Sequence, residues 1–338
     1  MKTLWDMNTI ISSYWGMYAV QTVLHAAIAS VLVDCAFIAW DIRTPHVKQR
    51  FRFMVIFLPL LSFPLYQFIF PRRGDAYFRL EGLLDSSKWF SLELWRGIPL
   101  FTVFIVILTL SAVIFVIQEL LPIFFHMREQ VRSADEPVDE AVDEAVARKV
   151  SKALEGLPFN EELVEILNDD DLALFSDTGL NPRIYISTGL IKSFNTEHLQ
   201  AAIAHEIGHI QRTRKPVLIF AYIFRVLMFY NPVAMIEFRR LAQEEEKVCD
   251  DIAVALTGKP GALSEAVEMF RPEPEDLGPG AGAKGIGGIA SSLEHYSHDV
   301  LLKSRILRIG QRSQDGSPWG LPYAVTLALI VCINYFVV

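Results

Sequence analysis

The chain has 338 residues, 52% of them apolar, and a mean hydropathy of +0.31, more than a soluble domain needs to fill its core, which argues against a wholly soluble protein. With 39 acidic against 31 basic residues the net charge is −8 and no segment is continuously basic, so nucleic acid is not expected as a partner. Cys35, Cys249 and Cys332 cannot pair evenly or build a multi-cysteine zinc site, so any metal must be held by histidine and carboxylate.

In chain order, three apolar stretches come first, approximately Thr9 to Trp40, Phe53 to Phe70 and Ile98 to Phe125. Each approaches or exceeds the roughly 20 residues a helix needs to cross about 30 Å of hydrocarbon. A fourth, Trp319 to Val338, ends the sequence. The first reads as a retained anchor, because Lys2 is offset by Asp6 and the apolar run continues past Ala26 to Ser30. Basic residues beside the spans set the orientation. Arg43, Lys48, Arg50 and Arg52, then Arg128 and Arg132, then Lys303, Arg305, Arg308 and Arg312 would all be cytoplasmic, with both termini and the loop from Pro71 to Gly97 outside. Arg72 and Arg73 run against this assignment. Of the polar residues within spans, His25, Asp34, Gln118 and Glu119, Asp34 and Glu119 lie toward presumed cytoplasmic ends, from which they can reach water.

The expected organisation is three transmembrane helices over 1–125, a domain over 126–318 and a last transmembrane helix over 319–338. The domain opens with an acidic stretch, Asp135 to Glu144, whose Val138, Val142 and Val146 make one apolar stripe of a solvated helix. Leu172 to Phe175, a turn through Asp177, Gly179 and Pro182, and Arg183 to Ser187 read as strand, turn, strand. Residues 271–290 are too rich in proline and glycine for a regular element and read as a linker. The fold class expected is α+β: a multispan helical membrane protein with a cytoplasmic zincin-like metallopeptidase domain, mostly helical with a small antiparallel sheet.

Asn195 to Arg212 is the best helix of this domain, capped by Asn195, with Glu197 in its first turn and an apolar face of Leu199, Ile203, Ile207 and Ile210. Within it stands His205-Glu206-Ile207-Gly208-His209. Spacing of four puts both imidazoles on one face, where they can grip one Zn(II), and turns Glu206 toward a water at the metal as general base and acid. A third ligand must come from downstream. The apolar stretch 216–238 is broken by Asn231-Pro232, so a membrane-dipping hairpin can return the acidic run Glu244-Glu245-Glu246 to the histidines. Successive carboxylates on a helix point about 100° apart and spacing alone does not choose among them. A further carboxylate one turn later, to orient an imidazole, favours Glu246 with Asp250; Glu244 and Glu245 are expected to stay solvated and Cys249 to be a small buried filler.

This HEIGH, followed by FYNPVAMIEFRRLAQEEEKVCDDIAV, resembles the BlaR/MecR-type membrane zinc metallopeptidases, as do NPRIYISTGLI before the helix and LLKSRILRI before the last span. The resemblance covers roughly Asp171 to Ile309 and implies His205, His209 and Glu246 as zinc ligands, Glu206 as catalytic residue and Asp250 behind them. It implies an integral protein of the bacterial inner (cytoplasmic) membrane. Sensors of that family carry an extracellular penicillin-binding domain after the last span, whereas this sequence stops at Val338, which argues against a β-lactam receptor.

The expected function is a gluzincin-like zinc endopeptidase facing the cytoplasm, cutting cytosolic or membrane-proximal proteins in signalling or quality control. The alternative is a non-catalytic membrane transducer that keeps the domain for binding. Arg183, Ile184, Tyr185, Ile186 and Ser187 are the expected edge strand for a protein or peptide substrate. Tyr185, Arg225, His295 and His298 are candidate oxyanion donors. The partners expected are this substrate and the lipid bilayer; assembly as a homo-oligomer stays open.

Overall fold

The computed structural model describes residues 13–70, 92–95, 98–120, 144–177, 181–213, 217–270, 302–309 and 319–337. The expected linker at 271–290, His295, His298, Arg128, Arg132, Arg312, most of the 71–97 loop and the acidic stretch before Glu144 lie outside them. The chain forms two compact units: residues Met1–Pro137, Val217–Glu244 and Gly316–Val338 in the first, and Val138–Pro216 and Glu245–Asp315 in the second.

The first unit is built on apolar helices: α1 (Tyr14–Ala39), α2 (Pro45–Ile69) and α3 (Leu100–Phe115), which continues as a π turn over Val116–Leu120. A small hairpin, β1 (Glu93–Trp95) with β2 (Ile98–Pro99), precedes α3. Among the described residues, three helices are long and apolar enough to cross a membrane by length and composition: Tyr14–Ala39, Pro45–Ile69 and Leu100–Gln118. Helix α2 starts earlier than the apolar run at Phe53 suggests. Pro45, whose fixed φ suits the first helical position, begins it, so Lys48, Arg50 and Arg52 stand on its opening turns and not in a loop.

Several buried polar groups of this unit find partners, as a low-dielectric setting favours. Pro64 has no N–H to give the carbonyl of Leu60, and the Tyr18 hydroxyl donates there instead at 3.2 Å. His25 Nδ1 lies 2.7 Å from Ser62 Oγ. Asp34 does not simply reach to water: its carboxylate is 3.6 Å from Arg52 and 3.2 Å from Arg240, and both arginines converge on the fully buried Glu237 at 2.7 and 2.8 Å. Gln118 accepts from Arg239.

Four further described helices follow α3 up to residue 213, with a sheet among them, and all belong to the second unit: α4 (Glu144–Leu154), β3 (Val164–Leu167), β4 (Leu174–Asp177), β5 (Arg183–Ser187), α5 (Thr188–Ser193) and α6 (Thr196–Thr213). The count of four helices includes the 3-10 turn Glu161–Leu163. The sheet corrects the expectation of a small antiparallel one. Its order is β3-β5-β4, with β3 parallel to β5 and β4 antiparallel to it. Strand Arg183–Ser187 is therefore central and paired on both sides, so it is not the edge that a substrate can extend. Gly189 opens α5 where an added Cβ would lie 2.0 Å from the carbonyl oxygen of Asp170, so no other residue fits between loop and helix. Helix α6 is capped as expected, the Asn195 side chain accepting from the His198 N–H at 2.7 Å. Leu199, Ile203 and Ile207, four apart, are buried in the core that also holds Ile184, Ile186 and Leu190.

Helix α7 (Val217–Leu227) and the first part of α8 (Pro232–Thr257), up to Glu244, belong to the first unit. Asn231 caps α8, its side-chain oxygen accepting from the N–H groups of Val233 and Ala234 at 3.0 and 3.3 Å, with Pro232 at the first helical position. Tyr222 and Arg225 of α7 pack against the Phe238 ring of α8, so the two helices form the hairpin that the Asn-Pro pair suggested. The rest of α8, α9 (Pro260–Met269) and α10 (302–309) complete the second unit, and α11 (Gly320–Phe336), a shorter apolar helix, returns to the first.

Candidate metal centre

Helix α6 and the second part of α8 cross closely, and a glycine permits it. A Cβ on Gly208 would stand 3.2 Å from Cys249 Cα and 3.3 Å from its carbonyl oxygen, tighter than ordinary contact. Gly208 is one of the two middle positions of His205-Glu206-Ile207-Gly208-His209, so the motif brings its own means of approaching the partner helix.

At this crossing His205, His209 and Glu246 form the one group of metal-ligating side chains found among the described residues. The two imidazole Nε2 atoms are 3.2 Å apart. Glu246 Oε2 is 3.4 Å from His205 Nε2 and Glu246 Oε1 is 3.6 Å from His209 Nε2. Ligands at about 2.0–2.1 Å from a tetrahedral zinc ion are about 3.3–3.4 Å from one another. The two imidazole nitrogens stand at about that separation and each lies near one oxygen of Glu246, and the donor set of two imidazoles and one carboxylate is of a kind that zinc takes with a position left open. The residues therefore fit the ion.

Each ligand has its own support. His205 Nδ1 lies 3.1 Å from Asp250 Oδ1, the carboxylate one turn after Glu246. His209 Nδ1 lies 3.4 Å from Cys249 Sγ, so the buried cysteine is more than filler. Arg305 of α10 is bidentate to Asp250, Nη2 at 2.7 Å and Nε at 2.9 Å, and its Nη1 is 3.2 Å from Glu246 Oε2. Burial alone would depress the His205 pKa, but Asp250 and Glu246 outweigh it and raise the value to about 9 in the metal-free centre. Asp250 moves the other way: burial is overcome by His205 and Arg305, and its pKa falls to about 2. Burial also opposes ionisation of Glu246, yet His205 and Arg305 hold its carboxyl below the usual range.

Glu206 stands beside the cluster with one carboxylate oxygen, Oε2, accepting from Ser176 Oγ of β4 at 2.7 Å. His205, Glu206 and Arg305 form the polar side of a cleft of about 330 Å³ whose other wall is apolar, from Leu174, Leu263, Val267, Phe270 and Leu302. Glu245 departs from expectation. It is buried and holds Arg212 in a bidentate pair at 2.6 and 2.8 Å, and Glu244 is buried too, so neither is a solvated face. Tyr185 stacks on Phe175 with ring centroids 5.0 Å apart and does not line the cleft, and Arg225 lies in the other unit over Phe115 and Phe238. Ser176 and Arg305 escaped the sequence reading as site residues; the signals for Arg305 were its place in a basic stretch before the last span and the resemblance of that stretch to the family.

The family model described as BlaR1 peptidase M56 matches residues 95–259. The match takes in His205, Glu206, His209, Glu246 and Asp250 and stops short of Arg305. No curated protein matches the chain.

Proposed function

We propose that the protein is an integral membrane zinc-dependent endopeptidase that cleaves cytosolic or membrane-proximal proteins, in signalling or protein quality control. The observation that carries this reading is the meeting of His205, His209 and Glu246, one ligand atom of each within 4.8 Å of the others, with Glu206 on the adjoining cleft wall. The ion, when bound, supplies Lewis acidity for the scissile carbonyl and for water. Glu206 accepts the proton of the attacking water and delivers it to the amine nitrogen as the peptide C–N bond breaks. The Ser176 hydroxyl fixes one oxygen of Glu206 and leaves the other for that transfer.

The substrate-binding edge moves from the central strand to β4, which is outermost in its sheet among the described residues and carries Ser176 beside Glu206. An extended peptide added there would lie along the cleft, whose apolar wall suits a bulky apolar side chain. The hairpin of α7 and α8 dips into the cytoplasmic leaflet, and the second unit faces the cytoplasm of a bacterial inner membrane. Support for this is the apolar, exposed surface of α7 at Ile219, Phe220 and Ile223 and the basic residues on the first turns of α2.

Comparative proteomics of protein N-termini, in cells carrying the wild type or Glu206→Gln, tests the reading. Neo-N-termini present with the wild type and lost with the variant are expected. Identical N-termini in both would refute it and favour the non-catalytic transducer.

A further inference from the structure

The contacts of Arg305 reach further than support of one neighbour. Its guanidinium takes both oxygens of Asp250, at 2.7 and 2.9 Å, and one oxygen of Glu246, at 3.2 Å. The same Asp250 Oδ1 faces His205 Nδ1 at 3.1 Å, and the same Glu246 Oε2 faces His205 Nε2 at 3.4 Å. Guanidinium, two carboxylates and one imidazole thus close a ring, with Glu246 Oε1 left outside it, 3.6 Å from His209 Nε2. A planar fork with several fixed donors can hold two carboxylates in this way, and an ammonium cannot. Three residues on, Arg308 donates to the Lys247 carbonyl at 3.0 Å and pairs with Asp251 at 2.6 Å, so α10 is also anchored to α8 away from the ligands.

We propose that Arg305 is the positioning residue that sets the donor set of the metal centre: by occupying both oxygens of Asp250 and one of Glu246, it leaves two imidazoles and a single carboxylate oxygen to the ion. The proposal rests on the zinc reading above. Two carboxylates one turn apart, released from Arg305, would offer four oxygens. An oxygen-rich set of that kind suits harder, higher-coordinate cations such as Mg(II) or Mn(II) better than it suits zinc.

The test uses the full chain in detergent micelles, stripped of metal, titrated with zinc alone against a chromophoric chelator and separately with Co(II) to read coordination from its visible bands. Arg305→Gln is expected to bind zinc about 10- to 100-fold more weakly, as loss of a group that orients ligands does, and to lose the intense bands of four-coordinate Co(II). Arg305→Lys keeps the charge and should recover only part of the affinity. Arg308→Gln removes the Lys247 and Asp251 contacts and should bind zinc like the wild type. Wild-type affinity and spectrum in Arg305→Gln would overturn the proposal while leaving the zinc reading intact. Full recovery in Arg305→Lys would reduce the role to charge, and an equal loss in Arg308→Gln would reduce it to docking of α10; either overturns it. A wild type that binds no zinc would refute the zinc reading itself, and this proposal with it.

Discussion

Zinc binding should expel a proton from His205. In the metal-free centre this imidazole lies between Asp250 and Glu246, and its pKa stands at about 9 in place of 6.5. At pH 7.5 that leaves it protonated in all but a few per cent of molecules, whereas at the ordinary value about a tenth would be. A metal ligand must give up this proton, so apparent zinc affinity should fall about tenfold per pH unit below 9, a penalty of roughly 30-fold or about 2 kcal/mol at pH 7.5. The raised value also means that His205 pairing stabilises the metal-free fold fully below about pH 6.5 and is lost as the pH rises through about 9. Alkaline conditions therefore weaken the empty fold while they tighten zinc binding. Calorimetric titration of the metal-free chain with zinc, in two buffers of different ionisation enthalpy, counts the protons. Asp250→Asn takes away a main cause of the raised pKa, so the wild type should release close to one proton more than this variant at pH 7.5. Equal proton release by the two would refute the reasoning.

Further outcomes follow from the neighbouring carboxylates. Glu246→Ala should lower zinc content and Glu244→Ala should not, as metal analysis of the purified variants would show. Glu245→Ala should leave zinc bound but cost about 3–5 kcal/mol of stability by removing the bidentate partner of Arg212, read as a fall in thermal midpoint. Glu237→Ala should destabilise the first unit by a similar amount, because Arg52 and Arg240 both lose their buried partner; an unchanged midpoint in detergent would mean that this network carries little.

How much of this was legible in the sequence depends on how far apart the partners lie. His205, Glu206 and His209 are set by helical period alone, and the Asn195 and Asn231 caps by chemistry local to one turn. The approach of Glu246 to the histidines was legible through Asp250, since the two lie one turn apart on a single helix and both face His205. Arg305 was not, because its partner Asp250 lies 55 residues away and no local pattern couples them. The sheet was misread for a related reason. Val164–Leu167 is short, follows Glu161 and Glu162, and pairs in parallel with β5 across a connection that contains β4, so nothing local marks it as a strand. Once it is present, β5 becomes central and the open edge passes to β4. A run of three glutamates reads as a polar face, yet Glu245 is buried; its burial depends on Arg212, one turn beyond His209 on the facing helix.

X-ray absorption at the zinc edge of the purified full-length protein addresses the centre itself. The account predicts a first shell of nitrogen and oxygen only, at about 2.0–2.1 Å, with the outer-shell signature of two imidazoles. A sulfur scatterer at about 2.3 Å would bring Cys249 into the shell in place of Glu246, and a spectrum without imidazole would remove His205 and His209; either would contradict it.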